Sequence, residues 1–129
     1  EQKSDGLLKS PAALTAFLKS LFIGTQNESS YILLFDNSRR LLSCEKIGEG
    51  FSMEHNLSLR KIALSSISSN AASAILVHNH PSGDPTPSKS DIMLTEHVRE
   101  LGEKMDIVLL DHIIIGKSSY TRLKEKGYI

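Results

Sequence analysis

The chain has 129 residues, 40% of them hydrophobic and 23% charged, which is the size and balance of one globular domain able to bury a core without staples. Fifteen basic and 15 acidic residues cancel to zero formal charge, which excludes a general electrostatic pull toward nucleic acid or a membrane surface. Cys44 is the only cysteine, so an internal disulfide and an all-cysteine metal site are excluded; no apolar stretch reaches the roughly 18 residues of a membrane span and no signal-peptide pattern opens the chain, so a cytoplasmic protein is expected.

In chain order, Glu1 to Lys9 is polar and reads as a loose start. Ser10-Pro11 opens a helix, serine as cap and proline in the first turn, and Ala12 to Phe22 continues it with Leu14, Phe17, Leu18 and Leu21 on one face. Gly24 to Asn27 breaks it. Tyr31 to Phe35 is a short apolar strand and Asp36-Asn37-Ser38 a turn, with Arg39 and Arg40 exposed beside it; Leu41 to Ile47 returns as the second strand of a hairpin. Gly48 to Ser52 reads as loop. Ser58 caps a helix over Leu59 to Ser68, with Leu59, Ile62, Ala63 and Ile67 expected to face inward. Ala74 to Val77 is a buried strand leading into His78-Asn79-His80. Pro81 to Pro87 carries three prolines and a glycine and must be loop. Ser88 begins a helix to about Lys104, with Ile92, Thr95, Val98 and Leu101 on one face. Ile107 to Ile115 is the longest apolar run and reads as a central strand, and Tyr120 to Leu123 as a last short one. This alternation indicates a mixed α/β domain with one sheet covered by helices. A sheet edge exposed near Tyr31 to Phe35 would permit a dimer.

The chemistry gathers at His78-Asn79-His80-Pro81 and Ser88-Lys89-Ser90-Asp91. On a strand, residues i and i+2 point to the same face, so His78 and His80 can aim two imidazoles at one point. The proline-rich loop can fold the chain back, and the next helix then delivers Asp91 beside the two rings. Two histidines and one carboxylate leave a fourth tetrahedral position open, the pattern of a catalytic zinc rather than a structural one. Zinc makes a bound water acidic near neutral pH, and a nearby general base should take the proton. Glu28, Glu45, Glu49 and Glu54 all lie upstream, and pattern alone does not choose among them. The bland alternatives are two hydrogen-bonded strand histidines, and Asp91 as the fourth member of a capping box begun by Ser88. His55 and His97 read as exposed, and Cys44 as a small apolar filler.

His78-Asn79-His80-Pro81-Ser82-Gly83 followed by Pro87-Ser88-Lys89-Ser90-Asp91 resembles the metal motif of RadC-type proteins, within the wider JAMM (MPN+) group of metalloproteases and deubiquitinases. The resemblance continues through Leu110-Asp111-His112-Ile113-Ile114-Ile115-Gly116 and the Arg60 segment, and covers roughly Ser10 to Ile129. It implies a cytidine-deaminase-like JAMM/MPN fold, a single, mostly antiparallel sheet flanked by helices. It implies one zinc per chain on His78, His80 and Asp91. Its distant glutamate falls on Glu28, eight residues before Asp36, with Glu45 in reserve. Its oxyanion-stabilising serine falls on Ser88, whose single hydroxyl proton is expected not to serve both that role and a helix cap fully. Asn79 stands where many JAMM proteases carry Ser or Thr, although asparagine is usual in the RadC branch. The family's N-terminal helix–hairpin–helix segment is not seen, so residues 1–129 are expected to be a single domain from the C-terminal part of a longer protein.

The function implied is hydrolysis of an amide or isopeptide bond in a peptide or protein substrate. The alternatives are a metal-dependent nuclease linked to DNA repair, which a single zinc suits less well than a two-metal site, and a binding module that retains its metal. Within the long apolar strand, Asp111 or His112 is expected either to orient a ligating imidazole or to serve as a hydrogen-bonded strand end.

Overall fold

A computed structural model describes residues 6–50 and 58–129. Glu54 and His55, and the last two residues of the loop expected to end at Ser52, lie outside the described residues.

After a short 3-10 turn at Leu7–Lys9, α1 spans Pro11–Ser20. Ser10 caps it by accepting from the Ala13 N–H at 3.1 Å, and Pro11 occupies the first turn, where its missing N–H costs nothing. Strands β1 (Glu28–Phe35) and β2 (Leu41–Gly50) form the expected hairpin, each longer than its apolar run; Gly48 to Gly50 belong to β2 rather than to a loop. Asp36 builds the turn by accepting from the Ser38 and Arg40 N–H groups, both at 2.9 Å. Then come α2 (Leu59–Ser68), β3 (Ser73–Asn79), α3 (Lys89–Lys104), β4 (Val108–Ile115) and β5 (Tyr120–Arg122).

The strands order as β2-β1-β3-β4-β5. Only the β3–β4 pair is parallel, so the sheet is mixed and mostly antiparallel. The strand carrying Tyr31 to Phe35 lies between β2 and β3 and is no edge, which removes the sequence argument for a dimer through it; the edges are β2 and β5. The reason is the later strand β3, which a hairpin pattern does not reveal. Alternation along the strands divides the core in two. Ile32, Leu34, Ala74, Leu76 and Leu109 meet α2 and α3 on one face, while Leu33, Phe35, Ile75, Val77 and Ile113 meet α1 on the other. β3 is buried throughout, which explains its unbroken apolar run.

α2 sits with Ile62 and Ser66 inward, while Leu59 and Ile67 are exposed. The expected inward face is thus corrected. The sheet beneath presents the Glu45 carboxylate, and Ser65 donates to it at 2.6 Å, so a polar seam of the helix turns to the sheet. On α3 the buried residues are Asp91, Leu94, Thr95, Val98 and Gly102, with Ile92 and Leu101 only partly covered. No helix among the described residues is long and apolar enough to cross a membrane.

Candidate metal centre

Four elements converge at one end of the sheet. Glu28 opens β1, His78 is near the end of β3, His80 follows that strand, and Asp91 lies in the first turn of α3. One ligand-capable atom from each lies within 4.8 Å of the others, an arrangement that could hold a metal ion. His78 Nε2 stands 3.2 Å from Asp91 Oδ1, and His80 Nε2 stands 3.1 Å from Asp91 Oδ2. Glu28 Oε2 is 3.7 Å from His78 Nε2. Of the other upstream candidates, the two among the described residues are engaged elsewhere: Glu45 accepts from Ser65, and Glu49 pairs with Lys46 at 3.0 Å.

The two Nε2 atoms approach to 3.1 Å. Two nitrogens on one tetrahedral zinc at ordinary Zn–N lengths would sit about 3.3 Å apart. Each ring's other nitrogen is held from behind. His80 Nδ1 donates to the Asp84 carbonyl at 2.9 Å, within a loop fastened by Gly83 N–H to the His80 carbonyl and Lys117 N–H to the Gly83 carbonyl. His78 Nδ1 meets His112 Nε2 at 2.8 Å, and His112 Nδ1 meets Thr95 Oγ1 at 2.6 Å. The Thr95 hydroxyl donates to the Asp91 carbonyl at 2.7 Å. Its proton thus spent, Thr95 accepts from His112 Nδ1–H, so His112 Nε2 accepts from His78 Nδ1–H. The network assigns a tautomer that leaves the His78 Nε2 lone pair facing the cluster. The donor set fits zinc.

His112 reaches this face through a bulge in β4. Ala74 pairs with Leu109 but Ile75 pairs with Asp111, so Leu110 is the extra residue and the alternation shifts by one. Asp111 therefore points to the α1 side, where it accepts from Arg122 at 2.9 Å and from the Lys124 N–H at 3.1 Å. Of the two residues, His112 is the imidazole partner and Asp111 a structural one. Both are buried because both faces of the strand are covered. The role of Thr95 was missed by periodicity, which read it only as core; its place four residues after Asp91 on the same helix face is the available signal.

Ser88 and Asp91 form the full capping box. Ser88 Oγ accepts from the Asp91 N–H at 3.0 Å, and Asp91 Oδ2 accepts from the Ser88 N–H at 2.9 Å. Capping and cluster membership therefore coexist in Asp91. The expected conflict at Ser88 is also removed, because the cap uses a lone pair of the hydroxyl oxygen and leaves its proton to donate.

Burial would raise the Asp91 carboxyl, but the His78 and His80 rings beside it, with the Ser88 N–H bond, outweigh it and hold the group well below the usual range. Burial lowers the His78 pKa against the pull of Asp91, whereas the Asp91 bond raises that of His80, the more exposed ring. Glu28 is shifted up, mainly by burial, with His80 opposing and Asp91 adding. Away from the cluster, burial pushes the Cys44 thiol up to about 11, consistent with an inert filler, and His97 is exposed.

A family model for the RadC-like JAB domain matches residues 8–128. The UPF0758 protein of Histophilus somni is 38% identical over 120 residues, covering 93% of this chain and 54% of the relative. The UPF0758 protein of Pelobacter propionicus is 39% identical over 104 residues, 81% of this chain and 45% of that one. The UPF0758 protein of Desulforamulus reducens is 50% identical over 100 residues, 75% of this chain and 43% of that one. The chain spans about half the length of these curated relatives. With its sheet order and its Glu-His-His-Asp cluster, this chain belongs to the RadC-like JAB domain family.

Proposed function

We propose that the domain is a zinc-dependent hydrolase that cuts an amide or isopeptide bond. The observation that carries this reading is the convergence of two imidazole nitrogens and the Asp91 carboxylate, with the Glu28 carboxyl 3.7 Å from His78 Nε2. His78, His80 and Asp91 would hold the ion. Zinc so bound would polarise a substrate carbonyl and make a water acidic near neutral pH. Glu28 takes the proton of the attacking water and passes it to the leaving nitrogen; its upward shift brings it nearer the operating pH, as that task requires. Ser88, its oxygen committed to the Asp91 N–H, donates its hydroxyl proton to the charge developing on the carbonyl oxygen.

The test begins with metal content. The wild-type protein is expected to hold one zinc per chain, and His78→Ala and Asp91→Ala to lose it. Glu28→Gln is expected to keep zinc while peptide hydrolysis falls by about 10²–10⁴-fold. Wild-type protein that takes up no metal when zinc is supplied would sink the reading. A nuclease would instead reveal itself by strongly salt-dependent cleavage of one nucleic-acid form, and a binding module by partner binding that survives His80→Ala.

A further inference from the structure

The β1–β3 ladder pairs Ser30 with His78 as its last step toward the cluster. One residue on, the Asn79 side chain takes over from the backbone. Its Oδ1 accepts from the Ser29 N–H at 2.7 Å, and its Nδ2 donates to the Asn27 carbonyl at 3.2 Å. The Asn27 carbonyl belongs to the peptide plane before the Glu28 Cα, and the Ser29 N–H to the plane after it. One buried amide thus grips both planes that flank Glu28. Those planes have only φ and ψ between them, so holding both sets the direction in which the Glu28 side chain leaves the strand. On the other side β1 pairs with β2, where Glu28 is in register with Gly50 and Ser29 with Glu49, and the extra residue of the nearby bulge, Ile47, belongs to β2. Asn79 follows His78 directly, so its side chain leaves the opposite face of the sheet and is no member of the cluster.

We propose that Asn79 is a positioning residue that holds Glu28 at the cluster and thereby sets the efficiency of its proton transfer. The effect on rate rests on the hydrolase reading above; the effect on Glu28 rests on the hydrogen bonds alone. The residue type follows from the task, because a primary amide offers an acceptor and a donor side by side. Aspartate keeps only the acceptor for Ser29, and leucine, of similar size, offers neither.

The experiment compares wild type, Asn79→Asp and Asn79→Leu as full chains, by amide exchange of Ser29, zinc affinity and peptide hydrolysis. In Asn79→Leu, exchange at Ser29 is expected to quicken at least about tenfold while Ile32 and Leu34 keep their protection. Zinc affinity should change by less than about threefold and kcat should fall on the order of 10- to 100-fold at unchanged KM. Asn79→Asp should keep Ser29 protected and recover part of kcat. Protection of Ser29 that survives Asn79→Leu overturns the proposal, as does a zinc affinity that collapses along with it, since Asn79 would then act on the histidines. If Asn79→Leu does not fold, Asn79→Asp decides: Ser29 protected with reduced kcat supports the proposal, and wild-type kcat overturns it. A wild type that binds zinc and cleaves nothing would defeat the hydrolase reading, while the exchange and zinc measurements would still decide the clamp.

Discussion

His112 shows how much one side chain behind a candidate ligand can govern. It fixes the tautomer of His78, and partners of that kind are typically worth 10–100-fold in metal affinity. His112→Leu is therefore expected to weaken zinc binding by about that factor in a chelator competition assay. The same residue leaves a mark on stability. Burial, with the like charge of His78 adding, holds His112 neutral well below the usual histidine range. An unfolded histidine binds its proton near pH 6.5, so below about that value the unfolded state holds more protons and stability falls, by up to about 1.4 kcal/mol per pH unit and group. His78 acts in the same direction. His80, shifted upward, acts in the opposite one: its contribution is full below the unfolded value and lost as pH rises through the folded value. In chelator-treated protein the urea midpoint should drop between pH 7 and 5, and drop less in His112→Gln. At this scale His78, His80 and Asp91 were legible because strand alternation and a short loop are local matters. Glu28 needed a family resemblance, since its strand meets β3 across a separation of 50 residues, as the Ser29–Asn79 bond records. The choice between Asp111 and His112 hung on a bulge that no pattern of apolar residues announces.

Among the elements, the loop from Pro81 to Pro87 carries the geometry from β3 to α3, and its seat is Gly116. A Cβ there would lie 2.5 Å from the Gly83 carbonyl oxygen and 2.8 Å from Pro85 Cδ. Gly116→Ala must push the loop away, at a cost of about 1–3 kcal/mol by chemical denaturation, and should weaken zinc binding as His80 loses its hold on Asp84. Element types and their order were legible from caps, turn residues and hydrophobic runs. The orientation of α2 was not. Leu59, Ile62, Ala63, Leu64 and Ile67 leave no clear polar face, and the decision came from a carboxylate on a strand that precedes the helix. The supposed edge at Tyr31 to Phe35 failed for a similar reason, because the strand that covers it arrives only at Ser73.

For the molecule as a whole, the cluster ties the ends of two strands, the loop after β3 and a helix start together, so an ion that binds only the folded state must stabilise all of them. Zinc at a thousandfold excess over its Kd is expected to add about 4 kcal/mol, seen as a higher thermal midpoint that His78→Ala abolishes. The parallel β3–β4 pair has a further consequence. It requires α3 as a crossover, while β1 must return antiparallel on the other flank, so Glu28 comes from one side of β3 and Asp91 from the other. The hairpin and the helices are short-range and form early, whereas bringing Glu28 to His78 requires closing a loop of about 50 residues. During refolding, assembly of the complete cluster should lag behind helix formation, and a time-resolved metal indicator would record the ion as the last arrival, a seal on a finished chain rather than a nucleus for it.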